Sequence, residues 1–507
     1  MTGNDRAVIR NLATGVPGLD AVLGGGLPEY SFNLVAGGPG SGKTTLAHQV
    51  MFANATVERP SLYFTVLGEP TLKMLRYQRQ FSFFDPSVAG SAIQFINLSQ
   101  EVMDGDLDEV LQRIIGEVEK TTPGIVVVDS FRTIGDRAAP SGQAATTSLD
   151  SFIQRLALHL TSWEVTSFLL GEYAEQEQRS PVFTVADGIL WLAQATDRNS
   201  VVRKLQVIKT RGQAQMPGLH TFRITNDGLQ IFPRIPERKR PQERLKGKRL
   251  STGVPGMDEI MGGGIIAGDA VILTGPAGSG KSTIVTQFVA EGLRQGETAV
   301  VAVFEEYPEN YLAQATRRNP MLGEMVRDDK LRIIYLRPLD LSVDEALAAI
   351  LDAVRELKAM RVVIDSLSGF EVALAPTFRD DFRESLYRLV GTLTATGVTV
   401  FMTAEIVDGF SFGRFTSEKV SFLTDEIIIQ RYVELEGQLR RVMAVVKMRG
   451  SDHSRDFFLY DLTADGVVVG ATLQDYHGII TGVPTHREES AKNLPLPGAL
   501  DRTGTQD

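Results

Sequence analysis

The sequence predicts an α/β protein made of two copies of one unit, each a mainly parallel sheet between helices. Three observations predict it. First, four landmarks recur in one order at nearly one spacing. TGVPGLD at Thr14–Asp20 returns as TGVPGMD at Thr252–Asp258, and GGPGSGKT at Gly37–Thr44 as GPAGSGKS at Gly275–Ser282. IVVVDS at Ile125–Ser130 returns as VVIDS at Val362–Ser366, and IKTRG at Ile208–Gly212 as VKMRG at Val446–Gly450. Tandem copies of one domain give this pattern; a short-period solenoid would repeat far more often. Second, short apolar runs alternate with longer helical patterns, and near-continuous apolar runs mean strands buried on both faces. Third, each copy closes on sequences that read as antiparallel hairpins.

Taken in order, the first copy offers FNLVAG, SLYFTVL, IQFINL, GIVVVDS and TSFLLGE as strands. VVRKLQVIKTRG then leads into HTFRITNDGLQIF, where Asn226-Asp227-Gly228 signals a turn. This copy is expected to span residues 1–232. Residues 233–250 break all apolar periodicity and carry eight Lys/Arg against two Glu, which reads as an exposed linker. The second copy, 251–484, matches with AVILTG, AVVAVFE, LRIIYL, RVVIDS and VTVFMTAE. It closes with RRVMAVVKMRG and DFFLYDLTADGVVV. The tail, 485–507, mixes polar residues with Gly and Pro and is expected to be mobile; the alternative is a docking peptide for signalling or clock proteins.

Bulk composition narrows the function classes. Of 507 residues, 43% are hydrophobic and 22% charged, ordinary for a soluble globular protein. There are no cysteines, so disulfides, thiolate metal sites and cysteine nucleophiles are excluded. That suits a reducing cytoplasm, the expected location. MTGNDRAVIRNL lacks the apolar core of a signal peptide. No apolar run approaches the ~18 residues a membrane helix needs. A net charge of −10 argues against a nucleic-acid partner.

Both copies satisfy G-x-x-x-x-G-K-[ST] between an apolar strand and a helical run, the context that makes the motif credible. Gly38, Gly40, Ser41 and Gly42, and Gly278, Ser279 and Gly280, would let backbone N–H groups curl around phosphate oxygens. Lys43 and Lys281 would reach the β- and γ-phosphates, and Thr44 and Ser282 would place a hydroxyl on Mg²⁺. Thr45 and Thr283 follow on a helix whose N-terminus aims at the same anion. The expected ligands are therefore ATP and Mg²⁺. Asp129 and Asp365, at the ends of Val/Ile-rich strands, would hold the metal shell. Asp20 and Asp258 open helical stretches and read as turn and cap features.

A last motif separates the halves. VFEEYP places Glu305 and Glu306 at the tip of the strand after the phosphate-loop helix. In an open parallel sheet ligands sit beyond the carboxyl ends of the strands. A carboxylate there can orient or deprotonate the attacking water, and a neighbouring charge can raise its proton affinity. The first copy has Gly68 in place of the first acid and Glu69 in place of the second. It is expected to hydrolyse ATP with one acid, so the halves are expected to be unequal.

Tandem loops of this kind, an acid-bearing next strand, an Asp-Ser strand end and a late K-x-R-G segment together resemble the KaiC-like group of RecA-fold ATPases. The resemblance runs from about Leu12 to Val469. It implies two RecA-like P-loop domains in a homo-oligomeric ring, six chains in that family, with ATP between neighbouring subunits. It then assigns Lys209 and Arg211, and Lys447, Arg449 and His453, to the γ-phosphate on the adjacent subunit. Gln215 stands where His453 does. The family also phosphorylates itself in the second domain, on adjacent Ser and Thr. Here Ser421 falls on the serine and Phe422 where the threonine would be, with Thr416, Ser417 and Thr424 nearby. The expected activity is thus ATP hydrolysis with a Ser/Thr autokinase capacity, in signalling or circadian-type timing. The competing readings are a RecA-type DNA motor and a nucleotide-gated scaffold.

Overall fold

The structure is a computed structural model that describes residues 10–66, 71–104, 107–137, 143–174, 181–197, 200–234, 248–336, 341–379, 382–405, 424–479 and 484–486. Glu69 and Ser421 lie outside the described residues. The chain divides into two compact units, Met1–Arg234 and Ile235–Asp507.

In the first unit β1 (Asn11–Leu12) pairs with β2 (Leu27–Pro28). Then come β3 (Phe32–Gly37), β4 (Ser61–Thr65), β5 (Ile93–Asn97), β6 (Ile125–Asp129), β7 (Thr166–Gly171), β8 (Gly188–Asp197), β9 (Ser200–Thr210), β10 (His220–Thr225) and β11 (Gly228–Phe232). They form one nine-stranded sheet in the order β11-β10-β9-β8-β3-β7-β6-β4-β5. The strands from β8 to β5 in that order pair in parallel, whereas β8 to β11 pair as successive antiparallel strands. Alternation explains the buried layers. Val126 and Val128 pack toward Leu111, Ile114, Phe152 and Leu156 on one face. Ile125 and Val127 pack toward Leu46 and Val50 on the other. Helices cover both faces, so each residue along the strand is buried and the run reads as continuously apolar.

The second unit repeats this plan. β12 (Arg249–Leu250) pairs with β13 (Ile265–Ile266), so the last two residues of the expected linker lie in a strand of this unit. β14 (Ala270–Gly275), β15 (Ala299–Val303), β16 (Leu331–Tyr335), β17 (Arg361–Asp365), β18 (Thr399–Glu405), β19 (Glu426–Leu435), β20 (Gln438–Met448), β21 (Phe458–Leu462) and β22 (Val467–Thr472) form the sheet. Their order is β16-β15-β17-β18-β14-β19-β20-β21-β22. A final pair joins β23 (Tyr476–His477) to β24 (Thr485–His486) at the start of the expected tail. Local signals set the helix starts. Ser342 accepts from Glu345 N at 3.1 Å, the S-x-x-E arrangement that satisfies a free helix-end donor.

The TGVPG segments differ from expectation in detail. Asp20 and Asp258 are not caps; Gly18 and Gly256 occupy those positions in the left-handed region. Asp20 Oδ1 accepts from Thr14 N at 2.9 Å and from Thr14 Oγ1 at 2.6 Å, and Asp258 Oδ1 accepts from Thr252 in the same way at 2.8 and 2.6 Å. Each Asp closes its loop onto the helix that follows. No helix among the described residues is long and apolar enough to cross a membrane.

Candidate active sites

In each sheet the phosphate loop leaves the central parallel strand, β3 or β14, and enters a helix, Lys43–Asn54 or Lys281–Arg294. Gly40 has φ 69°, a left-handed conformation that favours glycine, and a Cβ there would meet nothing within 4 Å. The loop is therefore shaped by the chain yet open on its concave side, as an anion cradle has to be. Lys43 Nζ donates to the carbonyls of Gly37 and Gly38 at 2.9 and 2.8 Å, and Lys281 Nζ to those of Gly275 and Pro276 at the same distances. Both ammonium groups thus lie across the mouth of their own loop. Burial lowers the pKa of each lysine, partly offset in the first unit by Glu172 and then Asp129, and in the second by Glu405, Asp365 and Glu305.

Hydroxyl and carboxylate meet as the motif requires. Thr44 Oγ1 donates to Asp129 Oδ2 at 2.9 Å, and the Tyr63 hydroxyl donates to the same oxygen. In the second unit Thr403 Oγ1 donates to Asp365 Oδ1 at 2.5 Å, and the Ser282 hydroxyl also bonds to Asp365. Burial raises the pKa of both aspartates, and these hydroxyls, with the loop lysine, act against that rise. A hydroxyl, a partly desolvated carboxylate and an open loop form the oxygen-rich set that Mg²⁺ takes alongside substrate phosphates. In the first unit a cavity of about 610 Å³ holds Lys43, Thr44, Asp129, Arg132 and Glu172.

The two loops are braced differently. Tyr460 donates to the Ser279 carbonyl at 2.6 Å, and Ser279 Oγ donates to Gln430 Oε1 at 2.8 Å. At the matching sheet positions the first unit has Phe222 and Leu192, and Ser41 Oγ is buried with no hydrogen-bond partner among the described residues.

The paired acids point different ways. Glu305 Oε1 accepts from Ser366 Oγ at 2.8 Å, beside the Asp365 strand end, and a Cβ on Gly369 would meet Glu305 Cγ at 2.7 Å. Glu306 Oε2 accepts from Gln314 at 2.9 Å, toward the next helix. The sequence suggested that charge repulsion tunes this pair. Instead burial is the main cause raising the Glu306 pKa, with Asp365 and Glu305 secondary. Sequence reasoning also missed Glu172 and Glu405. Each follows or ends the strand between the loop strand and the Asp strand. The signal was available, since TSFLLGE and VTVFMTAE both end in Glu.

The late basic residues do not join their own unit's loop. Lys209 Nζ donates to Thr184 O at 3.1 Å, and Arg211 pairs with Asp187 at 2.9 Å. Lys447 Nζ donates to Thr424 O at 2.6 Å, and Arg449 lies 3.7 Å from Asp425. Asp187 N donates to the carbonyl of Phe32, the first residue of β3, whereas the phosphate loop begins at its last residue. At about 3.3 Å per residue these points are roughly 17 Å apart. A bulge interrupts the ladder beside both lysines, between Ile189/Leu190 and Ile427/Ile428, a device that re-aims side chains. His453 N donates to Asp452 Oδ1 at 3.0 Å, while Gln215 is tied to Val207 O at 2.9 Å.

A family model described as "ATPase: KaiC" matches residues 12–235 and 250–474. The chain is 28% identical over 512 residues to the circadian clock oscillator protein KaiC of a Picosynechococcus species, covering 98% of this chain and 97% of that protein. It is 28% identical over 500 residues to the protein of that name from Rippkaea orientalis, covering 97% and 95%. Identity is again 28% over 496 residues to the circadian clock protein KaiC3 of a Synechocystis species, covering 95% and 96%.

Proposed function

This chain belongs to the KaiC family of ATPases, and on that premise we propose that both units bind Mg·ATP and hydrolyse it, at the interfaces of a homo-oligomeric ring. The observation that carries this reading is the repeated convergence of loop lysine, hydroxyl and aspartate in two units. When bound, Mg²⁺ would neutralise developing charge on the transferring phosphoryl group. Thr44 with Asp129, and Ser282 with Asp365, would hold it. Lys43 and Lys281 would exchange loop carbonyls for phosphate oxygens. Glu305, held against Ser366 on the Asp365 side, is the better placed of its pair to orient the attacking water. Glu69 is assigned the same part in the first unit.

Lys209, Arg211, Lys447, Arg449 and His453 would serve a neighbouring molecule's γ-phosphate. Their distance from their own loop supports that reading, since an arginine cannot cross a strand's length. The second unit would also transfer phosphate to Ser421. The relatives' names point to circadian-type timing as the process. The test is incubation with Mg²⁺ and γ-labelled ATP, scoring released phosphate and protein-bound label separately in the parent and in Glu305→Gln/Glu306→Gln. Released phosphate that needs Lys43 and Lys281 supports the ATPase. Bound label lost on Ser421→Ala supports the autokinase, and hydrolysis with no bound label removes it.

A further inference from the structure

The strand β7 runs between β3, which carries the phosphate loop, and β6, which ends in Asp129. β18 holds the same place between β14 and β17. The residue at the carboxyl end of this middle strand projects over the centre of the crevice where ligands sit in such sheets. In both units it is a glutamate: Glu172 directly after β7, Glu405 as the last residue of β18. The register confirms that the two correspond, since Ala36 pairs with Gly171 and Thr274 with Ala404.

Three features set these glutamates apart from ordinary strand-end acids. Glu172 lines the same cavity as Lys43, Thr44 and Asp129. Each backbone is tied by the helix that follows the Asp-Ser turn: Arg132 donates to Glu172 O at 2.5 Å, and Glu405 N donates to Ser368 Oγ at 3.1 Å. The anchors are different residues at matching positions, yet each fixes the acid's position. In each unit, moreover, this glutamate is the carboxylate felt most strongly by the loop lysine, ahead of the metal-side aspartate. Both carboxylates are exposed, so what distinguishes them is their position beside the loop and not burial.

We propose that Glu172 and Glu405 are catalytic carboxylates that take the proton of the attacking water, one in each unit. The inference rests on the reading of these loops as ATPase sites. The water oxygen bonds to the γ-phosphorus as the bond to the β,γ-bridging oxygen breaks, its electron pair leaving on ADP. The carboxylate accepts the water's proton and releases it to solvent with the phosphate. Nothing further is consumed. The first unit, with Gly68 where the second has Glu305, then has Glu172 at its pocket in addition to the Glu69 that its sequence offers. The expected inequality between the halves shrinks accordingly.

The test uses the full chain with Lys281→Ala, which leaves turnover to the first loop. Adding Glu172→Gln is expected to lower kcat by about 100-fold, in the range general-base loss gives. KM and the affinity for a fluorescent ATP analogue should stay within about threefold, so that the loss falls on kcat alone. Glu172→Asp should recover part of the rate. Glu405→Gln on Lys43→Ala repeats the test for the second unit. A kcat within twofold of the parent overturns the inference while leaving the ATPase reading intact. Turnover and nucleotide binding lost together assign Glu172 to binding and also overturn it. A Lys281→Ala parent that neither binds nor hydrolyses ATP defeats the underlying reading first.

Discussion

Asp129 and Asp365 occupy one position in two copies of a fold, yet different residues hold them. Tyr63 reaches Asp129 from β4, where the second unit has Val301, and Thr403 reaches Asp365 from β18, where the first has Leu170. A hydrogen bond to a charged group contributes on the order of 1.5–3 kcal/mol. Tyr63→Phe should therefore raise the Mg²⁺ concentration needed for first-unit turnover by about tenfold, with second-unit turnover unchanged. A Mg²⁺ titration of phosphate release in the Lys281→Ala background measures it. The aspartates themselves were legible from the sequence because a carboxylate after three or four apolar residues is conspicuous. Tyr63 was not, because a tyrosine inside SLYFT reads as core. Only the packing of β4 against β6 turns its hydroxyl toward Asp129. Glu172 and Glu405 were hidden for the opposite reason: a polar residue ending a strand is so common that it draws no notice.

Elements decide how firmly these side chains stand. The helix Leu367–Ala373 starts at Ser366, whose hydroxyl accepts from Gly369 N at 3.1 Å and donates to Glu305. Gly369→Ala favours a helix by about 1 kcal/mol, but its Cβ would lie 2.7 Å from Glu305 Cγ. The variant should keep or raise its melting temperature while second-unit kcat falls at least about tenfold, because a misplaced catalytic group costs rate and not fold. Thermal unfolding and single-turnover hydrolysis together check it. The start of β19 carries a second consequence. Glu426 is fully buried, its Oε1 accepts from Ile266 N at 3.0 Å, and burial, with Asp269 and Asp425 nearby, pushes its pKa up to about 8. The unfolded chain releases this proton near 4.5, the ordinary value. Between those limits the folded state holds a proton that the unfolded state lacks, so stability falls as pH rises. Glu426→Gln should remove a slope of up to about 1.4 kcal/mol per pH unit from unfolding between pH 5 and 8. Denaturant titrations at three pH values would reveal it. The strands and closing hairpins were readable from apolar runs and turn residues, whereas the order of strands in each sheet was not. A buried glutamate opening a strand was not, since EIII looks like a boundary acid before a core run.

At the scale of the whole molecule, the repeat was the plainest message of the sequence, and the family assignment follows it across nearly the full chain. What the repeat concealed is that the copies are supported differently, by Tyr460 and Gln430 in one and by Phe222 and Leu192 in the other. The proposed ring makes a complementation test possible. Lys43→Ala keeps Arg211, and Arg211→Ala keeps Lys43, so neither variant should turn over ATP at the first unit alone. Mixed and reassembled with Mg·ATP, with Lys281→Ala in both, they should regain a fraction of the parent rate, read as released phosphate. Additive silence in the mixture would place the arginine and the loop on one polypeptide. The separation of Arg211 from Gly37 along β3 carries this further. A solitary chain keeps its two halves of the chemistry at opposite ends of one strand, out of each other's reach. Specific activity should then fall away on dilution, so that the number of molecules per volume governs how fast each of them works.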